Sequence, residues 1–261
     1  MDRHERLDTL LEIIGQQGRI EVEQAAEKLN VSPATVRRDL DHLASRQLLT
    51  RTRGGAVAGN VAYNLPGRRR GARHTGENRR IAEAAARLVN RGMVLGFNGG
   101  TTTTEVSRAI AARPEFNDRG SSPVLTVVTN AVNIAHELAV RQSIRLVSTG
   151  GVARPQSFEL TGHLAGMVLE EVSLDLAFLG VDAVDPLRGA YAHHEAEAAI
   201  DKLLAHRAKR VVVVADSSKL GGYAFARICS TLDIDLLITD SGAEPDLVSA
   251  FELEGVRVTL A

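Results

Sequence analysis

VSPATVRRDL, residues 31–40, opens like a helix and sets two arginines side by side in its second turn. Ser32 suits an N-cap, where its hydroxyl accepts an otherwise unpaired backbone N–H, and Pro33 suits the first helical position. Positive charge near the positive end of a helix is unfavourable, so Arg37 and Arg38 point to something negative outside the chain. Upstream, Leu7, Leu10, Leu11 and Ile14 recur at helical spacing until GQQG at 15–18 ends the run. Val22, Ala25, Ala26 and Leu29 repeat the stripe, and Asn30–Val31 makes a two-residue break. In the third helix Val36, Leu40 and Leu43 form the buried stripe. At 100° per residue Ala34, Arg38, Asp41 and His42 face away, with Thr35 and Arg37 on the flanks. Downstream, LLTRTRGGA (48–56) is a short β-prone stretch with Arg51 and Arg53, ending in a glycine turn.

Three short helices, a tight break before the last, then a basic strand and turn describe a winged helix-turn-helix. In that motif the N-terminal residues of the third helix reach base edges, where arginine pairs with guanine, and basic wing residues meet phosphates. The expected contact set is Ser32, Ala34, Thr35, Arg37, Arg38, Arg51 and Arg53, and the expected partner is double-stranded DNA. The competing expectation is a small helical interaction domain whose arginines pair with Asp39 and Asp41.

The chain has 261 residues, enough for two modest domains, and 44% hydrophobic with 24% charged residues is a globular mix. The lone Cys229 rules out an intrachain disulfide and argues against a cysteine-based zinc site; no metal and no cofactor are expected. MDRHERLDTL is charged, so no signal peptide is expected, and no apolar run reaches the roughly 18–20 residues that span a bilayer. A cytoplasmic location without membrane association is the expectation. The net charge of −1 hides an uneven distribution. Residues 1–63 balance nine bases against nine acids, residues 64–80 carry six arginines and one acid, and the remainder holds sixteen bases and twenty-two acids. Positive charge is therefore concentrated beside the N-terminal segment, while the C-terminal part repels polyanions.

From about residue 77, short apolar runs alternate with helical stretches: MVLGF, VLTVVT, IRLVST, LDLAFLG, RVVVVAD and IDLLIT, separated by segments such as RRIAEAAARLV and EAEAAIDKLLAHRA. This predicts a mostly parallel, doubly wound sheet whose ligands gather beyond the strands' carboxyl ends. NGGTTTTEVSRAI follows a strand and opens a helix, with glycines for close backbone approach and a helix N-terminus for an anion. It is neither a dinucleotide fingerprint nor a P-loop, so a compact phosphate is expected, unless the loop is an ordinary turn with threonine caps. Asp182, Asp185, Glu197, Asp216 and Lys219 lie at the other loop ends, where carboxylates bind sugar hydroxyls and the lysine meets a phosphate. His193 and His194 have no spaced partner and are expected to be solvent-exposed.

VSPATVRRDLDHLASRQLLTRTRGGA (31–56) closely resembles the N-terminal signature of the DeoR family of bacterial transcription regulators. GGTTTTE, VVTN, STGG, FLGVD, EAEAAIDK, VVVVADSSKLG and LLITD resemble that family's C-terminal sensor domain in order and spacing. The resemblance implies a winged helix-turn-helix over 1–58, a basic linker over 59–76 and a sensor domain similar to ribose-5-phosphate isomerase over 77–261. It implies a repressor of carbohydrate-metabolism genes, a homodimer or homotetramer, released from operator DNA by a phosphorylated sugar. The implied effector contacts are Asn98, Gly99, Gly100, Thr101, Thr102, Thr103, Asn130, Gly150, Gly151, Asp182, Glu197, Asp216 and Lys219. Two positions depart from the family pattern: Asn98–Gly99 where an Asp commonly precedes the loop, and Asn78 where a Lys usually stands shortly before the first sensor helix. The alternative is a sugar-phosphate isomerase with an appended DNA-binding module. There Glu197 would be the base, Asp182 and Asp185 would lie near the sugar, and Arg188 stands where the isomerases have a Lys. Arginine cannot pass on its proton as lysine can, so no catalytic residue is expected.

Overall fold

The computed structural model describes residues 6, 7, 9, 10, 13, 14, 19–45, 49–58, 75–116 and 122–261. It divides into two compact units, Met1–Ala72 and Arg73–Ala261. The expected linker (59–76), up to residue 74, lies outside the described residues, as do Leu11 and the GQQG at 15–18.

In the first unit the described residues between 6 and 14 are helical. They are followed by β1 (Arg19–Glu21), α1 (Val22–Leu29), α2 (Pro33–Ser45), β2 (Leu49–Arg51) and β3 (Gly55–Ala58). Leu10, Ile14, Val22, Ala25, Leu29, Val36, Leu40 and Leu43 share one core, as the periodicity requires. Asn30 ends α1 in the left-handed region (φ 52°), a conformation that asparagine tolerates, and the Val31 N–H donates to the Ala26 carbonyl at 3.0 Å. Ser32 caps α2 by accepting the Thr35 N–H at 3.2 Å. The wing is a three-stranded antiparallel sheet, β1-β3-β2, where the basic stretch alone suggests one strand and a turn. Gly55 makes it possible: a Cβ there would lie 1.9 Å from the Ile20 carbonyl oxygen on β1.

The second unit is built on seven parallel strands in the order β15-β14-β12-β9-β4-β5-β6. They are β4 (Val94–Phe97), β5 (Leu125–Thr129), β6 (Ile144–Ser148), β9 (Leu176–Gly180), β12 (Val211–Val214), β14 (Leu236–Thr239) and β15 (Arg257–Leu260). Side chains alternate between the faces. Leu95, Phe97, Phe178, Val212 and Ile238 join Ile81, Val106 and Ile134 on one side, while Leu179, Val213 and Leu237 join Leu169, Leu204 and Phe251 on the other. The first face is covered by α3 (Thr75–Ala86), α4 (Thr101–Ala112) and α5 (Val132–Leu138), the second by α6 (His163–Glu170), α7 (Glu195–His206) and α8 (Pro245–Leu253). Two excursions carry no strand of the main sheet. One is the hairpin β7 (Val152–Arg154) and β8 (Glu159–Thr161); the other is the antiparallel set β10 (Ala183–Asp185), β11 (Gly189–Ala192) and β13 (Ala226–Cys229). Among the described residues no helix is long and apolar enough to cross a membrane.

From β4 the chain winds outward through β5 and β6, then returns to β4's other side with β9. The strand order reverses between β4 and β9, which opens a crevice beyond their carboxyl ends.

Candidate functional site

Asn98 and Gly180 lie at that reversal and tie the two strand ends together. The Asn98 amide donates to the Gly180 carbonyl at 2.8 Å and to Asp201 Oδ2 at 2.9 Å, and its oxygen accepts the Gly180 N–H at 2.8 Å. An amide is required, because the position must donate and accept at once. This gives a physical reason for asparagine here in place of the acid common in the family pattern: a carboxylate would face the buried Asp201.

Gly100, at φ 138°, turns the chain into α4, and among the described residues no side chain caps the helix. The hydroxyls of Thr102, Thr103 and Thr104 are turned inward, while Thr101 is half-buried. Thr102 donates to Asn78 Oδ1 at 3.0 Å, Thr103 and Thr104 donate to the Gly100 carbonyl at 3.2 and 2.6 Å, and Asn133 donates to Thr104 at 2.8 Å. Asn78 is in the first turns of α3, not ahead of that helix, and is buried against the loop. The loop therefore offers the backbone N–H groups of the first turn of α4, at the positive end of the helix dipole, beside the half-buried Thr101.

Around this loop stand carboxylates. Glu159, on β8, accepts the Gly99 N–H and lies 3.5 Å from the Asn130 amide nitrogen. Burial pushes its carboxyl up to about 8, the Glu197 charge adds to the shift, and the Gly99 and Asn130 hydrogen bonds oppose it. Asp201, fully enclosed on α7, is held well above the usual carboxylate range, first by burial and then by the Glu159 charge. Glu197, in the first turn of α7, pairs with Arg154 Nη1 at 3.0 Å. Asn130 is fully buried, and its side-chain oxygen has no partner among the described residues.

The remaining expected residues arrive at the same sheet edge with local duties. Asp182 accepts the His193 N–H at 2.7 Å, Asp216 caps a turn by accepting the Ser218 N–H at 3.2 Å, and Lys219 donates to the Val181 carbonyl at 2.7 Å. Gly150 and Gly151 follow β6 with φ of 71° and 115°. At Gly151 a Cβ would lie 2.6 Å from the Thr161 carbonyl oxygen. Asp185 accepts the Leu187 and Arg188 N–H groups at 3.0 and 2.9 Å, and Arg188 lies 4.7 Å over the Tyr223 ring. The cation nearest the isomerase pattern is thus engaged with an aromatic face. His193 is exposed, whereas His194 is half-buried at the start of α7.

Glu159, Asp201 and Arg154 were not singled out from the sequence. Asp201 left a signal: Ala198, Asp201, Leu204 and Ala205 fall on one buried stripe of α7, so an acid stands in an apolar row. Glu159 and Arg154 lie on a short hairpin that carries no such periodicity.

In the first unit, Ala34, Arg37 and Arg38 are exposed along the start of α2, with Thr35 half-buried beside Ser32. Arg37 reaches Glu23 at 3.4 Å, both side chains well exposed, a pairing of little energetic weight. Arg51 is different: its guanidinium pairs with Asp41 at 2.7 Å and also donates to the Gly55 carbonyl. The pairing of arginines with acids is thus found at Arg51–Asp41, while the buried Asp39 pairs with Arg6 at 2.6 Å. Arg53, at the wing tip, is exposed.

Residues 6–60 match the DeoR-like helix-turn-helix domain and residues 73–241 the DeoR C-terminal sensor domain. The chain belongs to the DeoR family. Relatives of this DeoR-family chain include the HTH-type transcriptional regulator GlpR of Haloferax volcanii, 33% identical over 97% of this chain and 96% of that protein. The glycerol-3-phosphate regulon repressor of Escherichia coli K12 is 29% identical over 92% of each. The HTH-type transcriptional repressor GlcR of Bacillus subtilis is 30% identical over 99% of this chain and 96% of that protein. Among solved structures, ribose 5-phosphate isomerase A of Methanocaldococcus jannaschii aligns with a TM-score of 0.42 at 22% identity, over 56% of this chain and 55% of that one. The two matched domains make this DeoR-family chain a transcriptional regulator, with a DNA-binding module followed by a sensor.

Proposed function

We propose that this DeoR-family regulator represses genes of carbohydrate metabolism and leaves its operator when a phosphorylated sugar enters the crevice between β4 and β9. The observation that carries the reading is the uncapped start of α4 beside buried carboxylates. Backbone N–H groups at a helix N-terminus suit a phosphate, and the carboxylates suit sugar hydroxyls. Arg37 and Arg38 supply base contacts and Arg53 a phosphate contact. Two recognition helices reading repeated half-sites call for a homodimer or homotetramer, and an operator places the protein in the cytoplasm.

Release requires that the sugar phosphate bind the DNA-incompetent arrangement more tightly than the competent one. The test is selection of a duplex from a random-sequence library, followed by titration with a panel of sugar phosphates and their unphosphorylated parents. A selected duplex that a sugar phosphate releases, and its parent sugar does not, is the expected result. Failure to select any duplex, or equal release by both forms, would count against the proposal. Glu197 is engaged by Arg154 and Arg188 by Tyr223, so the base and the cation expected for an enolisation each have another partner. Incubation with the releasing sugar phosphate in deuterated water should leave its α-hydrogen unexchanged.

A further inference from the structure

We infer that Arg154 is the side-chain cation that receives the effector's phosphate, exchanging Glu197 for it; the inference rests on the sugar-phosphate reading above. Arg154 on β7 is the direct partner of Glu159 on β8 in the antiparallel register. Directly opposed residues of an antiparallel pair project from the same face, with Cβ atoms about 5 Å apart. The Glu159 side chain marks where that face looks. Its carboxyl takes the Gly99 N–H and packs so closely that a Cβ on Gly99 would lie 2.3 Å from Oε1. The face carrying Arg154 is therefore turned toward the glycine-threonine loop, and the guanidinium reaches Glu197 from there at 3.0 Å.

The alternatives and the charge balance agree with this. Lys219, another cation at these loop ends, gives its ammonium to the Val181 carbonyl at 2.7 Å, and Arg188 lies over the Tyr223 ring. A guanidinium presents five N–H donors in a fork that matches two phosphate oxygens, and Glu197 engages Nη1. A phosphate entering beside Gly99 would meet the Glu159 carboxyl. Burial pushes that group up to about 8, which weakens the charge that would repel it. Because Arg154 belongs to the hairpin and Glu197 to α7, exchanging one partner for the other links phosphate arrival to both elements.

The experiment measures binding of glucose 6-phosphate, glycerol 3-phosphate and inorganic phosphate to the full chain by calorimetry. The variants are Glu197→Gln, Arg154→Ala, Arg154→Lys and the double variant Arg154→Ala/Glu197→Gln. The double variant removes both members of the pair, so no buried charge is left alone and loss of binding is not mistaken for loss of fold. Glu197→Gln should tighten binding of inorganic phosphate, the probe with no sugar hydroxyl for Glu197 to hold, because its arginine is released. Both variants lacking Arg154 should bind the phosphate probes roughly tenfold to a hundredfold more weakly, and Arg154→Lys should recover part of the loss. Wild-type affinity for a phosphate probe in a folded double variant would overturn the assignment while leaving the sugar-phosphate reading intact. No response of the unaltered chain to any of the three probes would overturn that reading and the assignment with it.

Discussion

Asn98 carries three hydrogen bonds that no other residue of its size reproduces, and it does so beside the buried carboxyl of Asp201. Asn98→Asp keeps the volume but removes the donors and sets a second carboxyl against the first. It should lower unfolding stability by about 1–3 kcal/mol, measured by denaturant titration near pH 7. The arginines of the first unit separate in the same way. Arg37→Ala and Arg38→Ala should each weaken binding to a selected duplex by about 1–3 kcal/mol, with circular dichroism unchanged. Arg53→Ala should weaken all duplexes alike and reduce the salt dependence. Arg51→Ala should instead lower the melting temperature of the free protein, since its guanidinium joins α2 to the wing through Asp41 and Gly55. An Arg51 variant that melts like the unaltered chain would return that residue to the role its charge alone suggests.

At the scale of an element, the start of α4 illustrates how a loop rich in donors divides them. The sequence offers threonine hydroxyls and backbone N–H groups together. The Thr102 hydroxyl goes to Asn78, and the backbone N–H groups at the helix start take no side-chain cap among the described residues. Thr102→Val should therefore cost about 1–3 kcal/mol of stability, by stranding the Asn78 carbonyl in a buried position. Combining it with Asn78→Leu should recover much of the loss, because both polar partners are then gone. If Thr102→Val left stability unchanged and abolished sugar-phosphate binding, the hydroxyl would belong to the ligand instead. The wing shows a different constraint. β1 and β3 approach so closely that Gly55→Ala should prevent their pairing, seen as a lowered melting transition and loss of duplex binding.

Across the whole molecule, the buried acids set how stability depends on pH. The Glu159 carboxyl is held at about 8 in the folded chain against an ordinary value near 4.5, and Asp201 is shifted in the same direction. Between those values the folded state binds more protons than the unfolded one, so stability falls as pH rises. The contribution is fully present below about 4.5 and is lost as pH climbs through about 8. The melting temperature should therefore fall between pH 5 and pH 9 by more in the unaltered chain than in Glu159→Gln, which carries no titrating group there. Parallel curves for the two proteins would show that Glu159 is ionised in the folded state at neutral pH.

Much of this architecture was legible in the linear chain, because local physics writes it there. A cap, a proline and a 3.6-residue stripe are enough to define α2, and six short apolar runs between helices identify six of the seven parallel strands. Adjacent arginines on the exposed side of α2 needed no tertiary context to suggest a polyanion. β15, with the short run RVTL, was less legible, since an edge strand lacks the continuous apolar signal of a buried one. The site was only partly visible for a related reason. Its loops follow from strand ends, but Glu159 and Arg154 come from a hairpin outside the main sheet, and their roles arise from which elements lie opposite them. Likewise, whether a threonine hydroxyl faces a ligand or Asn78, and whether Arg51 faces outward or Asp41, depends on partners distant in sequence. Periodicity and propensity are properties of neighbours along the chain. The partner of a buried polar group is chosen by packing, so only the tertiary structure decides it.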